Sequence, residues 1–271
     1  MTTMALPLTQ HDLSILEKIK DPESGPSAPV LIDSSLPRDP NVTNDETYNR
    51  ISQIERSIIS SIQTIELQIA GLKPQTSESP LSPYLECVRQ LDELIDEYPN
   101  YASARNNRAQ ALRRIYGDSL LVTNPTSPPS LENTSVLDTS PSETTLLSAS
   151  TTILSDLSTA ISLLTPSTPF SPLSPQTAKT LSQAYTQRGA LYHLTAKSLA
   201  INGAKLRISE SRKEAGWKTV QFEEAASRDF MVGGRFGNEI AKALAVAANP
   251  TTKLCGEMVK EAMRKEYAGT T

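Results

Sequence analysis

The chain has 271 residues, a length typical of one or two domains. Apolar residues make up 38% of it, which is below the usual globular share, and Ser, Thr and Pro take much of the difference. The formal net charge of -4 combines an acidic part, residues 1–175, with a basic part, residues 176–271. This moderate separation can steer a partner, but it is not the dense basic patch that nucleic-acid binding requires. We therefore expect a helical core with disordered inserts and no nucleic-acid partner.

The cysteine content and the hydropathy pattern indicate a reduced, soluble protein. Cys87 and Cys255 are too few for a disulfide framework, and both fall at apolar positions of predicted helices, so we expect both to be buried. No basic segment leads into an apolar run at the N-terminus, and no apolar stretch approaches the roughly 18 residues of a membrane span. We expect a cytoplasmic protein with no membrane partner.

Hydrophobic residues recur every three or four positions along most of the chain, which is the spacing of amphipathic helices. The predicted helices are residues 45–72, 83–98, 101–116, 146–164, 176–200, 218–232, 237–248 and a last one that opens with Asn249-Pro250. Ser82-Pro83 has the residue types of a helix cap followed by a first helical residue. Gly233-Gly234 and Gly237 are interpreted as a turn between two helices. The fold class is therefore all-α.

The regions between these helices divide the chain into a tail, a body and inserts. Residues 1–44 are predicted to form a short helix, with Leu13, Leu16 and Ile19 on one side, followed by a flexible linker rich in Pro, Ser and Asp. The body covers residues 45–267 and leaves a tail at 268–271. The predicted loop inserts within the body are residues 73–82, 117–145, 165–175 and 201–217. The second of these has too little apolar surface to offset its ordering entropy.

Small residues inside one helix suggest that the helices are arranged as repeats. The stretch 99–112 ends one helix with a proline and opens the next with Ala104, Ala109 and Ala111 where two helices would touch. A weaker copy at 184–192 has Arg188-Gly189 where the first has Arg108-Ala109. This pattern is typical of tetratricopeptide repeats, whose period is about 34 residues. We predict a solenoid of about three irregular helix pairs, closed by a C-terminal helical cap.

Residues able to perform catalysis are scarce. His11 and His193 are the only histidines, and the sequence contains no metal-ligating spacing, nucleophile elbow or glycine-rich phosphate loop. A Cys255–His193 pair is the one nucleophile hypothesis, and a thiol in an apolar stripe tends to be inert. We predict a protein that is not an enzyme and that binds no cofactor or metal.

A polar helix face offers a better candidate for function. On the helix at 101–116 one side is polar, and the other carries the apolar residues. The predicted protein-binding residues are Ser103, Asn106, Asn107, Gln110, Arg113 and Arg114 on this helix, with Gln183 and Gln187 on the helix at 176–200. First helices line the concave wall of stacked repeats, and guanidinium groups bind carboxylates bidentately, so acidic or carboxylate-ended peptides suit this surface. The alternative is an ordinary solvated helix face.

Four stretches carry a resemblance to a known family. They are Leu13-Ser14-Ile15-Leu16-Glu17-Lys18-Ile19 with Asp21-Pro22, then Ala104-Arg105-Asn106-Asn107-Arg108-Ala109-Gln110-Ala111, then Gln187-Arg188-Gly189, and lastly Ala225-Ala226-Ser227-Arg228-Asp229-Phe230 leading to Asn249-Pro250 and Leu254-Cys255. In these stretches the chain resembles the tetratricopeptide repeat protein 36 family. The resemblance implies a non-enzymatic adaptor associated with Hsp70-type chaperones and with tyrosine breakdown, through protection of a catabolic enzyme.

The resemblance also bears on how a chaperone would be bound. Related repeat domains clamp the carboxyl-terminal tail of such chaperones with cations and asparagines on three successive first helices. Asn107 matches the second-repeat asparagine, but Gln183 and Gln187 stand where the third repeat would carry cations. Loss of charge-assisted bonds weakens such a clamp, so we expect chaperone contact at another surface. A structural subunit of a larger assembly is the alternative to the adaptor.

Overall fold

The computed structural model describes residues 30–75, 79–123, 136–168, 171–200 and 204–268, and within these ranges the protein is mostly α-helical. The helices are α1 Asp45–Ile69, α2 Leu81–Glu97, α3 Ala102–Tyr116, α4 Glu143–Leu164, α5 Pro175–Leu199, α6 Thr219–Arg235, α7 Glu239–Ala248 and α8 Pro250–Ala268. Two short antiparallel strands, β1 Val122–Thr123 and β2 Lys205–Leu206, and a 3-10 turn at Lys213–Gly216 complete the described elements. The short helix predicted within residues 1–29 lies outside the described residues.

Side-chain caps explain where several helices begin. Asn44 accepts a hydrogen bond from the Thr47 backbone N–H at the start of α1, and Ser142 does the same for Thr145 at the start of α4. Asn238 caps α7 through the backbone N–H of Ala241. These residue types satisfy backbone donors that have no partner inside the helix. The predicted helix bounds therefore agree with the structure to within a few residues at most ends.

The helices pack in chain order around one continuous apolar core. Each helix from α1 to α7 contacts the next, with the most extensive contacts between α5 and α6, and α3 also contacts α5. Fully buried side chains come from every layer, including Ile51, Leu91, Ile115, Leu154 and Leu181. This packing of each helix on the next around a shared core matches the all-α prediction.

One described helix, α4, is long and apolar enough by length and composition to cross a membrane. In the structure it packs against α3 and α5 and contributes Ile153, Leu154 and Leu157 to the core. It has the position of a core helix.

The predicted flexible linker is ordered over residues 30–44. Asp39 is only 5% exposed and accepts a hydrogen bond from the Asn41 backbone N–H at 2.8 Å. Burial raises the pKa of Asp39, although a backbone hydrogen bond from Ala102 opposes that rise. Tyr101, the N-cap of α3, has no side-chain cap of its own. A carboxylate distant in sequence thus occupies the N-terminus of α3, and the linker is part of the fold.

Two predicted inserts also contain ordered structure. In the predicted insert at 117–145, Leu120, Leu121 and Val122 are buried. The strand β1 in this insert pairs with β2, which lies in the predicted insert at 201–217. Arg207 binds both carboxylate oxygens of Glu143, at 2.8 and 3.0 Å, and donates to the Leu120 carbonyl. Because these segments carry apolar residues that pack on the helical body, they are folded where the structure describes them.

Gly233 and Gly234 do not form the predicted turn, because α6 continues through both to Arg235. Of the three glycines in this region, only Gly237 has a left-handed backbone, with a φ of 96°. An added Cβ at Gly234 would lie 2.8 Å from the Lys242 Cα atom, so this glycine allows α6 and α7 to approach closely.

The pentapeptide Ser-Pro-Leu-Ser-Pro occurs twice and supports a paired stability prediction. Ser174 is buried, caps α5 through the Thr177 backbone N–H and lies near the Arg38 carbonyl. We expect Ser174→Ala to lower the free energy of unfolding by about 1 kcal/mol, measured by urea denaturation.

The matched control is Ser82→Ala in the other copy. The predicted Ser82 cap is not present, because α2 begins at Leu81 with Pro80 as its N-cap and Ser82 is exposed. This change should alter stability by less than about 0.5 kcal/mol. Equal losses in the two variants would contradict the capping role of Ser174.

Candidate protein-interaction surfaces

The first predicted surface lies on α3, and its two asparagines face the neighbouring helices. The Asn107 Nδ2 group donates to the Glu55 carboxylate of α1 at 2.7 Å, and the Tyr101 hydroxyl donates to the same carboxylate at 2.6 Å. Asn106 is 1% exposed, and its Oδ1 accepts from Gln187 of α5 at 2.8 Å. These amides hold the helices together.

The same positions are used in the same way on α5. By the Arg108–Arg188 equivalence, Asn106 corresponds to Thr186 and Asn107 to Gln187. Gln187 contacts the preceding helix α3, and Thr186 accepts from Asn238 at the start of α7 at 3.1 Å. We call this series the polar ladder; its members are Glu55, Asn106, Asn107, Thr186, Gln187 and Asn238. It links α1, α3, α5 and α7 in order.

The two predicted arginines are also engaged within the chain. The Arg113 guanidinium contacts Asp118 at 2.7 Å and the Gln187 side-chain oxygen at 3.1 Å. Arg114 contacts both carboxylate oxygens of Glu66 on α1, at 2.7 and 3.2 Å. Their side chains are only 15% and 19% exposed. A carboxylate ligand would therefore have to displace an existing carboxylate.

The remaining predicted residues are more accessible. Gln110 and Gln183 are exposed, and Ser103 is half-buried. Gln183 also accepts a long hydrogen bond of 3.4 Å from the Asn106 side chain. The structure thus brings the predicted residues together on neighbouring helices, and leaves the two glutamines as the groups most open to a partner.

A pair of buried ionic contacts was missed from the sequence. Arg108 of α3 binds both carboxylate oxygens of Asp156 on α4 at 2.7 Å, and Asp156 is 1% exposed. Arg188 of α5 binds Asp229 of α6 at 2.7 and 2.9 Å. Burial raises the pKa of Asp229, against the effect of the Arg188 hydrogen bonds. Each aspartate interrupts an apolar helix stripe, which was the signal available in the sequence.

The nucleophile hypothesis gains no geometric support. His193 lies edge-on to Phe230, and burial together with Lys197 and Lys253 lowers its pKa to about 4. Cys87 is buried as predicted, but Cys255 is exposed on α8. Within the described ranges, no group of three or more His, Cys, Asp or Glu side chains is arranged to hold a metal ion.

The second surface was not singled out from the sequence and is formed by α7 and α8. Every described side chain of α8 from residue 251 to 265 is exposed. The exposed apolar side chains of these two helices are Ile240, Val246, Leu254, Met258, Val259 and Met263. Lys253 forms an ion pair with Glu223 of α6, and α8 makes few other contacts with the body. Of the two helices predicted to form the C-terminal cap, only α7 packs one face on the body, whereas the described side chains of α8 stay exposed.

Comparisons with known proteins give one informative match. No family model matches the chain, and no solved structure matches it. The L-tyrosine degradation gene cluster protein hmgX of Aspergillus fumigatus is 35% identical to it over 268 residues, an alignment that covers 97% of this chain and 94% of that protein. The alignment therefore spans nearly the whole length of both proteins. The chain therefore belongs to the family of the L-tyrosine degradation gene cluster protein hmgX.

Proposed function

We propose that this protein is a non-enzymatic adaptor of tyrosine catabolism, built as a tetratricopeptide-like helical solenoid. In this proposal it binds a client enzyme of aromatic amino-acid breakdown and protects it. The observation that carries the metabolic part is the family relationship, since the relative is named for a tyrosine degradation gene cluster. Membership of the tetratricopeptide repeat protein 36 family remains a prediction that agrees with this link.

The helical packing supports the solenoid part of the proposal. Arg108–Asp156 joins α3 to α4, and Arg188–Asp229 joins α5 to α6 at equivalent positions. The polar ladder joins α1, α3, α5 and α7 in order. Contacts repeated at equivalent positions are what stacked repeats require, since each repeat contacts only its neighbours.

The use of the ionisable groups supports an adaptor over an enzyme. Asp156, Asp229 and Glu55 are buried and bound by side chains of neighbouring helices. Catalytic acids and bases have to reach a substrate, whereas these groups fasten helices together. The same reasoning disfavours a chaperone-tail clamp on α3, because Arg113 and Arg114 already bind carboxylates. A Hsp70-type chaperone is therefore the second choice of partner.

The proposal is tested by recovering the full-length tagged protein from source cells grown on tyrosine or on glucose. We expect an enzyme of tyrosine breakdown to co-purify on tyrosine. Capture should be lost in the double variant Gln110→Glu/Gln183→Glu, which changes exposed positions of α3 and α5, and kept in Ser155→Glu, an exposed position of α4. Turnover of a tyrosine catabolite by the purified protein alone would overturn the proposal, as would capture of no such enzyme.

The choice of variants follows from the ionic contacts. Charge reversal at Arg113 or Arg114 would break the contacts with Asp118 and Glu66 and so confound folding with binding. A structural subunit of a larger assembly is the alternative function, and the exposed apolar side chains of α7 and α8 favour it. A fixed stoichiometry with the partner in every growth condition would favour the subunit over the adaptor.

A further inference from the structure

The helix α7 is apolar on nearly all sides but is covered on only one. Ala241, Ala245 and Ala248 are buried against the body, whereas Ile240 and Val246 on the other side are 71% and 61% exposed. Its only charged residues are Glu239 and Lys242. A helix that is hydrophobic all round normally lies in a core, so the outer face of α7 has the composition of a covered surface.

The helix α8 presents its apolar side away from the body. Leu254, Met258 and Met263 are between 49% and 62% exposed. At 3.6 residues per turn, Met258 lies about 140° and Val259 about 120° around the helix from Lys253, so the centre of the apolar face points away from that lysine. Because Lys253 pairs with Glu223 of α6, the polar side of α8 is the one that faces the body.

The connection between α7 and α8 prevents these two apolar faces from meeting within one chain. The first helix ends at Ala248 and the second begins at Pro250, which leaves only Asn249 between them. Asn249 is extended, with φ of -69° and ψ of 118°, and its side chain accepts from the Thr251 backbone N–H. Antiparallel helix hairpins use loops of about two to five residues, so α8 cannot fold back along α7 here.

We propose that two copies of this chain pair through these helices, each packing the apolar face of its α8 on the outer face of the partner copy's α7. A hinge too short for the internal contact favours such an exchange between copies. The inference is independent of the proposed function, because it uses only the contacts and exposure of α7 and α8.

Two arguments select a second copy as the occupant. The two faces are present once in every chain, so one two-fold axis covers all four faces of a dimer at once. A different partner would have to cover two separate faces that point in different directions. A stable protein–protein interface buries about 1,200 Å² or more in total, and two helix faces from each copy contribute to it together.

The test is the mass of the full-length protein in solution, measured by sedimentation equilibrium over a series of concentrations. The wild type is expected at twice the chain mass of 29.4 kDa. Met258→Glu and Ile240→Glu should each weaken dimerisation by about 100-fold, since each buries a charge in an apolar contact. Lys260→Glu, on the polar side of α8, is the control and should leave dimerisation unchanged.

A hinge variant distinguishes the exchanged dimer from other assemblies. Inserting Gly-Ser-Gly-Ser between Asn249 and Pro250 lets α8 fold back on its own α7, so this variant should be a monomer with unchanged helicity. A wild type that is monomeric throughout, or a Met258→Glu variant that dimerises as well as the wild type, overturns the proposal. An insertion variant that stays dimeric also overturns the proposal. None of these results depends on capture of a client enzyme.

Discussion

Replacing Asp156 by alanine should lower the free energy of unfolding by about 3 to 5 kcal/mol, the largest loss expected for a single change in this protein. Asp156 is 1% exposed and accepts from both Arg108 and Arg105. Arg108 also contacts Asp92, which is 47% exposed and lies closer to solvent. Removing the buried carboxylate leaves the mostly buried Arg108 guanidinium with Asp92 as its remaining acceptor. Arg105 loses its ion pair and keeps only its hydrogen bonds to the Pro99 carbonyl.

The measurement is urea denaturation followed by circular dichroism. Asp96→Ala is the matched control, because Asp96 is an exposed carboxylate of α2, and its removal should change stability by less than about 0.5 kcal/mol. Asp156→Asn keeps the shape but removes the charge, so it should fall between the control and the alanine variant. A loss below about 1 kcal/mol for Asp156→Ala would show that Arg105 and Arg108 find other acceptors.

The pairing of Arg108 with Asp156 could not be predicted from the sequence, although the helices that carry them could. The apolar stripes predicted most helix bounds, because burial of one helix face imposes a short-range period that needs no knowledge of partners. The equivalence of Arg108 and Arg188 was also visible. The sequence does not show which aspartate each arginine binds, because Asp156 follows Arg108 by 48 residues across an insert and nothing local connects the two.

The polar face of α3 shows a second limit. Asn106 and Arg114 have the spacing of a surface stripe, and the sequence cannot tell a stripe that faces solvent from one that faces another helix through hydrogen bonds. Their partners, Gln187 and Glu66, lie on helices distant in sequence. The predicted polar face is present, but most of its side chains form hydrogen bonds or ion pairs with other helices of the same chain.

Predictions from composition were wrong for segments that are held in place by a few specific contacts. The Pro- and Asp-rich stretch before α1 has the composition of a linker, yet Asp39 caps α3 and Asn41 donates to the Leu163 carbonyl at 3.1 Å. Two or three specific hydrogen bonds order such a segment without any hydrophobic period. The same applies to β1 and β2, whose pairing depends on Arg207 and on three apolar residues inside a Ser- and Pro-rich insert.

The glycines at the end of α6 provide the second large prediction. Gly234→Val should lower the free energy of unfolding by about 3 kcal/mol, because its Cβ would lie within 2.9 Å of the Lys242 backbone and its methyl groups would crowd α7 further. The sequence suggested a turn glycine, whose replacement would lower stability through backbone strain. Gly237, with its positive φ, is the residue of that kind.

Thermal and urea unfolding of Gly234→Val, compared with Gly256→Ala, separates packing from helix propensity. Gly256 lies in α8, and a methyl group added to its Cα atom would meet no other atom within 4 Å, so alanine there should be neutral or stabilising by up to about 1 kcal/mol. Because α7 moves when Gly234 is enlarged, the valine variant should also weaken any pairing of copies through the outer face of α7. A valine variant as stable as the wild type would mean that α7 is not held against α6 at this glycine.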